Sequence, residues 1–450
     1  MQRVSQLLKG NRLMARVLRS ASWIVLGYGA SQAIRLASNL ILTRLLFPEA
    51  FGVMTLITLV TVGLALFSDV GISPSIAQSK RGDDPDFLNT AWTIQVGRGV
   101  ALWLVAMALA WPAARFYDAP SLIYYLPLAA VGLLIAGFNP TRIETAHRHL
   151  LLGRLTALDL VSQVIGIVAM ISLALAWPSV GALVVGNLIG ILSKLALVHW
   201  GMPGLRNRFR WEMAAVIELV TFGKWIFLST IFWFFASQGD RVVLGKFLPL
   251  EELGIYNIGY FLASFPLLLG LSVAGRIMIP IYREQAGETH KVTRMRYVLT
   301  GGVMGMQLLM ALLGPWLVQL LYDSRYFPAG AILTLVSVAL IPQVIGMTYD
   351  QAALASGDSR RFFIFSAIRS IVQFGLLLIG AFMGGLVGAM IGMWTALVLS
   401  HLVLIWLARA HGVWDMRHDL MFAVVAVLIS TLALWLHWGS IVELSAGVSG

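Results

Sequence analysis

The chain has no cysteine, which excludes disulfides, thiol catalysis and cysteine-ligated metals and removes any reading of redox compartment. It is also poor in charge. Only 12% of its 450 residues are Asp, Glu, Lys or Arg, against about 25% in soluble domains, while 59% are hydrophobic and the mean hydropathy is +0.83. Acids are the scarcer sign, 21 against 32 bases. No long basic run with interleaved aromatics occurs, which argues against nucleic acid as a partner. What remains is an all-α polytopic membrane protein, since only helices or closed barrels satisfy the backbone in lipid and the apolar runs are of helical length.

Hydropathy places spans near 21–43, 52–78, 88–111, 122–146, 155–177, 180–200, 222–246, 253–281, 297–321, 329–355, 362–382, 386–408 and 420–438, the last being an extra C-terminal helix. Pro48, Pro85, Pro120, Pro178, Pro203, Pro249 and Pro328 fall in or beside the turns, where a missing N–H does least harm. The basic tail before span one is followed by no Ala-x-Ala cleavage site, so that span reads as a retained helix. With the N-terminus cytoplasmic, that side collects 21 Lys and Arg, and the opposite side only Arg44, Arg115, Lys246 and Arg325. The asymmetry sets the expected orientation.

Residues 22–53 recur without a gap at 224–255. Trp23, Ile24, Leu26, Leu42, Leu46, Glu49 and Gly52 meet Trp225, Ile226, Leu228, Leu244, Leu248, Glu251 and Gly254, and Arg44 meets Lys246. The offset of 202 residues reads as an internal duplication. Six crossings separate the copies, so they are expected to be parallel: two six-helix lobes around a central cavity. The expected division is a cytoplasmic tail at 1–20, a first lobe at 21–200, a linker at 201–221, a second lobe at 222–408, and a loop, thirteenth helix and tail at 409–450. Arg206, Arg208, Arg210 and Trp211 in the linker suit either an interfacial amphipathic helix or a basic loop.

The stretch Leu42-Thr43-Arg44-Leu45-Leu46-Phe47-Pro48-Glu49-Ala50-Phe51-Gly52, with Asp69-Val70-Gly71-Ile72, resembles the opening of the Wzx-type polysaccharide exporters. Gly239-Asp240-Arg241-Val242-Val243-Leu244-Gly245-Lys246, with Leu253-Gly254-Ile255-Tyr256, resembles the start of their second half. The resemblance covers residues 20 to 410 or so. It implies the multidrug/oligosaccharidyl-lipid/polysaccharide exporter fold and alternating access in a bacterial inner membrane. It also implies a substrate, an oligosaccharide repeat unit on undecaprenyl pyrophosphate, moved from the cytoplasmic to the periplasmic leaflet for surface polysaccharide synthesis. A polysaccharide polymerase complex is the partner such a role suggests. No cofactor, metal or chemical catalysis is expected.

Arg35, Arg98, Arg142, Lys194, Arg241, Arg276 and Arg369 fall within the spans, as do Asp69, Glu144, Asp159, Asp240 and Asp350. A charge at a helix centre costs about 2.5–3.5 kcal/mol on the insertion scale, so such residues should face partners or a wet cavity. Guanidinium forks suit a pyrophosphate, which makes Arg35, Arg98, Arg276, Arg241, Arg369 and Lys194 the candidates for the head group. Arg35, mid-span, leads, with pairing to Asp69 as its structural alternative. Lys194 and Arg369 have no partner identifiable in the sequence. Asp240 and Arg241 are adjacent, so a simple mutual pair is not expected. Asp69, Asp159, Asp240 and Asp350 could bind a coupling ion or pair with bases. Arg142 and Glu144, after Asn139-Pro140, read as a local ion pair. His147-Arg148-His149 lacks helical ligand spacing, and Gly384, Gly388 and Gly392 read as a helix-packing row.

Two other readings stay open. A drug exporter of organic cations should have an acidic cavity, whereas bases are at least as numerous as acids in these spans. A glycan polymerase or ligase needs an ordered outer domain or loop, and no outside loop exceeds about a dozen residues.

Overall fold

The computed structural model describes residues 13–69, 71–149, 151–283 and 289–447. Arg3, Lys9 and Arg12 of the basic tail lie outside them, as do the side chains of Trp23, Ile24, Lys224, Trp225, Ile226 and Leu228. Helices run Leu13–Leu45 (α1), Pro48–Phe67 (α2), Ile72–Gln78 (α3), Pro85–Phe116 (α4), Leu122–Gly137 (α5), Arg142–Arg148 (α6), Leu152–Ala176 (α7) and Val180–Gly201 (α8). They continue as Met213–Phe247 (α9), Leu250–Arg283 (α10), Thr289–Leu321 (α11), Ala329–Gly346 (α12), Asp350–Ser356 (α13), Ser359–Ala410 (α14), Met416–Leu436 (α15) and Trp438–Gly447 (α16). Among the described residues there is no strand, and nine helical stretches are long and apolar enough to cross a membrane, or ten with the bent pair α5–α6. The protein is an all-α, multi-pass membrane protein.

Each of the thirteen expected spans falls on helix, but three of them are broken. The stretch 52–78 stops at Phe67 and restarts at Ile72. There Asp69 Oδ1 accepts from Gly71 N at 2.9 Å, and Gly71 has φ 63°, a left-handed turn that glycine enters without Cβ strain. The stretch 122–146 bends by 63° between α5 and α6, around Asn139-Pro140. The stretch 329–355 divides between α12 and α13. Spans 362–382 and 386–408 are the two arms of α14, separated by non-helical backbone at Gly384 and Gly385.

Those arms touch through backbone. A Cβ on Gly380 would lie 2.1 Å from Gly388 O, one on Gly388 would lie 2.1 Å from Gly380 O, and one on Gly392 would lie 2.1 Å from Leu376 O. Gly384, expected in the packing row, has nothing within 4 Å; it sits in the turn, and Gly380 takes its place in the contact.

The chain divides into two compact units: Met1–Leu46 with Leu56–Ile231, and Phe47–Thr55 with Phe232–Gly450. In the first unit α1 packs on α7, where Ser31 Oγ donates to Gln163 Oε1 at 2.7 Å and Gln163 Nε2 returns a bond to Ser31 O at 3.0 Å. A Cβ on Gly166 of α7 would meet Gly190 Cα of α8 at 2.9 Å, so those helices approach at backbone distance. In the second unit α12 is buried along most of its length, and Gln307 of α11 bonds Ala263 O and Ser337 O at 3.0 and 3.2 Å. Of the linker expected at 201–221, residues 203–212, which carry Arg206, Arg208, Arg210 and Trp211, are an extended strap, and from Met213 the chain is already α9.

Candidate functional site

The bend at Asn139-Pro140 frees carbonyls that a continuous helix would have used. Gln95 of α4 shares its amide hydrogens among Ala136 O, Gly137 O and Asn139 O at 3.2, 3.2 and 3.1 Å, which satisfies them without closing the space. Beside this repair lies a cavity of about 310 Å³ in the first unit, lined by Gln95, Arg98, Asn139, Glu144 and Lys194 among others. Arg98 Nε donates to Ser68 Oγ at 2.9 Å, and its Nη2 donates to Ala65 O. The guanidinium thus caps the C-terminal end of α2, where the helix dipole favours a cation.

Lys194, for which the sequence offered no partner, has one: its Nζ stands 2.8 Å from Asp159 Oδ1, across α7 and α8. Both side chains are more than a third exposed, so the contact positions charge and adds little stability. Glu144 accepts from Ser73 Oγ. The cavity therefore gathers two cations, one held on a helix end and one on a carboxylate, and one acid held by a hydroxyl.

Arg142 corrects a second expectation. It is buried, and instead of pairing with Glu144 it donates to Met202 O at 2.6 Å, Leu205 O at 3.1 Å and His199 O at 3.3 Å. These are carbonyls of the last turn of α8 and the chain beyond it, so Arg142 ties that end down. Arg148 does the same for α3, donating to Ile76 O, Ala77 O and Ser79 O, and pairs with Asp83 at 3.1 Å. Sequence spacing gives no sign of carbonyl partners sixty residues away.

In the second unit Asp350 and Arg369 line a smaller cavity of about 30 Å³, with room for about one water, together with Gln343, Ser400 and His401. Asp350 Oδ1 accepts from Gln351 Nε2 at 2.9 Å. Arg369 Nε, Ser400 Oγ and His401 Nδ1 are buried without a hydrogen-bond partner among the described residues. The other face of His401 is engaged: its Nε2 stands 3.2 Å from Asp419 Oδ2. Asp419 also accepts from Tyr349 Oη at 2.7 Å and Trp414 Nε1 at 3.1 Å, and its Oδ1 lies 3.0 Å from His418 Nδ1. This cluster was missed because its members are spread over α14, α15 and the turns before α13 and α15.

Asp240 and Arg241 do meet, at 3.4 Å, because the guanidinium folds back along α9. Adjacency did not prevent the contact, contrary to the expectation, but it made it long. The closer partner of buried Asp240 is Tyr256 Oη at 2.7 Å, and Arg241 lies over the Tyr260 ring at 4.5 Å. Tyr256 and Tyr260, one turn apart on α10, grip both charges and join α9 to α10. Arg276 has a buried Nη1 without a partner among the described residues.

Arg35 is exposed on α1, and among the described residues it has neither ion pair nor hydrogen bond. Its alternative partner, Asp69, is bound to Gly71 N in the break after α2 and acts electrostatically on Arg98. The structure thus brings Arg98 and Lys194 to one cavity and Asp350 and Arg369 to another. Arg35, Arg241 and Arg276 line neither.

Known proteins give this arrangement its context. The lipopolysaccharide biosynthesis protein WzxC of Escherichia coli is 21% identical over 387 residues, covering 84% of this chain and 78% of that one. The succinoglycan biosynthesis transport protein ExoT of Rhizobium meliloti is also 21% identical over 387 residues, covering 85% and 77%. Among solved structures, the lipid II flippase MurJ in an inward closed conformation superposes with a TM-score of 0.69 at 10% identity, over 93% of this chain and 99% of that chain. An inward-facing multidrug resistance transporter of the MATE family gives 0.64 at 16% identity, over 84% and 95%. At such identities the structural likeness speaks for the fold alone. The family described as polysaccharide biosynthesis protein matches residues 41–331, well over half of the chain. The chain belongs to the polysaccharide biosynthesis protein family.

Proposed function

We propose that this protein is a flippase that carries an oligosaccharide repeat unit linked to undecaprenyl pyrophosphate from the cytoplasmic to the periplasmic leaflet of a bacterial inner membrane. Family membership supports a place in polysaccharide synthesis. The observation that carries the substrate class is the charge held among membrane-spanning helices: a guanidinium at Arg35 that is unpaired among the described residues, and Arg98 with Lys194 around a polar-lined cavity. A pyrophosphate crossing hydrocarbon needs such cations, while an exporter of organic cations would need the opposite sign.

In this reading Arg35 meets the head group directly, since nothing else among the described residues neutralises it. Arg98 presents the face of its guanidinium not used in capping α2, and Lys194, held by Asp159, sets the potential of the cavity. Transport proceeds by alternating access with the N-terminus on the cytoplasmic side, as the Lys and Arg asymmetry of the loops supports. The recurrence of 22–53 at 224–255 is read as a duplication, and the parallel lobes of 21–200 and 222–408 follow from it.

Of the four carboxylates considered for ion coupling, Asp159 is engaged by Lys194, Asp240 by Tyr256, and Asp69 by a backbone amide. Asp350 alone of the four lines a cavity that holds unpartnered polar atoms, and it keeps the coupling role in this proposal. The test is transport by reconstituted protein of a fluorescent undecaprenyl-pyrophosphate glycan, read by quenching from outside the vesicle. Protection that falls with the wild-type chain and persists with Arg35→Ala supports the reading; equal rates with and without protein would sink it.

A further inference from the structure

The strap at 203–212 is held by its backbone and leaves its charges outside. Arg208 N donates to Asn89 Oδ1 at 3.0 Å, Arg210 N to Thr93 Oγ1 at 3.0 Å, and Glu212 N to Thr90 Oγ1 at 3.2 Å. Alternate amides therefore lock onto the first turns of α4, as an extended chain of period two allows. Asn207 fastens the middle, accepting from Thr141 N at 2.9 Å and donating to Thr141 Oγ1 at 2.8 Å. At the far end Glu212 meets Arg81 at 2.8 Å, and Arg81 also bonds Asp84, holding that carboxyl below its usual range.

With the backbone so fixed, Arg206, Arg208 and Arg210 all stand exposed. Of the acids nearby, Glu212 is spent on Arg81, and Asp86 reaches Arg210 at a loose 3.4 Å. The side chains of Arg206 and Arg208 have no hydrogen bond or ion pair among the described residues. Between and after them come exposed Phe209 and Trp211, 68% and 59% accessible, and then Met213, Ile217 and Val220 on one face of α9, each more than half exposed. An apolar helix face that runs into a strip of arginines and aromatics is the pattern of a bilayer boundary.

We propose that residues 206–211 form a docking strip for the head groups of anionic phospholipids. Arg206 and Arg208 take the phosphates, while Phe209 and Trp211 sit among the upper acyl carbons and the face of Met213, Ile217 and Val220 continues into the chains. The spacing favours a bilayer surface over a single diphosphate. Alternate residues of an extended chain are about 6.6 Å apart, so the arginines are strung past several head groups instead of converging on one. Phe209 rests one side against Trp92, ring centroids 5.0 Å apart, but a soluble anion would leave its exposed remainder and Trp211 facing water. Binding of this kind belongs to the attraction of basic segments for anionic leaflets, about 5-fold per arginine and screened by salt.

The absence of cysteine makes the test direct. The full chain carrying Met213→Cys is labelled with a donor dye and reconstituted in phosphatidylcholine vesicles that contain, in trace amounts, acceptor-tagged phosphatidylglycerol or acceptor-tagged phosphatidylcholine. The parent should transfer several-fold more energy to the anionic lipid, less so at high salt. Arg206→Gln/Arg208→Gln should bring the two lipids level, and Arg206→Lys/Arg208→Lys should keep the preference. Thermal unfolding of all three verifies that the strap stays closed. Equal transfer to both lipids in the parent, or a preference untouched by the Gln pair, overturns the proposal. So does loss of the preference on adding inorganic pyrophosphate, which would assign the strip to a diphosphate head group.

Discussion

Gly52 and Gly254 stand in a reciprocal contact. A Cβ on Gly52 would lie 1.9 Å from Leu250 O, and a Cβ on Gly254 would lie 1.9 Å from Pro48 O. Both glycines and both carbonyls are 202 residues apart in sequence, the offset at which the N-terminal stretch recurs. The first turns of α2 and α10 thus cross at backbone distance through positions at that same offset. Neither oxygen can step aside, because each belongs to a helix. Gly52→Ala or Gly254→Ala should therefore cost about 1–3 kcal/mol, seen as a lower unfolding temperature in detergent. Gly305→Ala, in a helix with nothing within 4 Å of its Cβ, should be neutral or slightly stabilising.

Arg35→Ala should leave expression and unfolding unchanged, since among the described residues the side chain makes no hydrogen bond or ion pair to lose, while transport falls to background. Arg35→Lys should be intermediate, because an ammonium keeps the charge without the fork. Initial rates in vesicles separate the three.

Arg142→Ala should behave in the opposite manner. It strands three carbonyls at the end of α8, a loss of about 2–4 kcal/mol given the strength of bonds to a charged donor. Folded yield should drop, and whatever protein survives purification should still transport.

The Lys194 and Asp159 pair predicts rescue by exchange. Either Lys194→Met or Asp159→Asn should slow transport, and Lys194→Asp/Asp159→Lys should recover most of the rate, since the charges face each other at 2.8 Å. No recovery would mean that Lys194 acts alone. Asp350→Asn, in turn, should abolish any dependence of the rate on an imposed proton or sodium gradient while leaving exchange at equilibrium intact.

How much of this was legible in the chain follows from the range of the interactions. The helices were, because hydropathy is a local property and lipid enforces it; so was the gap between spans 362–382 and 386–408, though Gly384 was read as packing and not as part of that turn. The break at Asp69–Gly71 was not, since its cause is a single left-handed glycine inside an apolar run. Among the charges, residue type placed Arg98, Lys194, Asp350 and Arg369 correctly within the helices. It could not show that Arg98 caps α2, that Lys194 has Asp159, or that Arg142 holds carbonyls of α8. Such partners come from packing between distant segments. The Asp419 cluster was hidden for the same reason, and the strap because its basic residues fit a helix and a loop equally well.

The measurement that bears most directly on the central claim is the leaflet distribution of undecaprenyl-pyrophosphate oligosaccharides in cells lacking this protein, read with a probe that cannot cross the membrane. The account predicts that one complete repeat unit accumulates on the cytoplasmic side, and that the wild-type chain but not Arg35→Ala clears it. Unchanged lipids with increased sensitivity to organic cations, or unpolymerised units on the outer side, would contradict it.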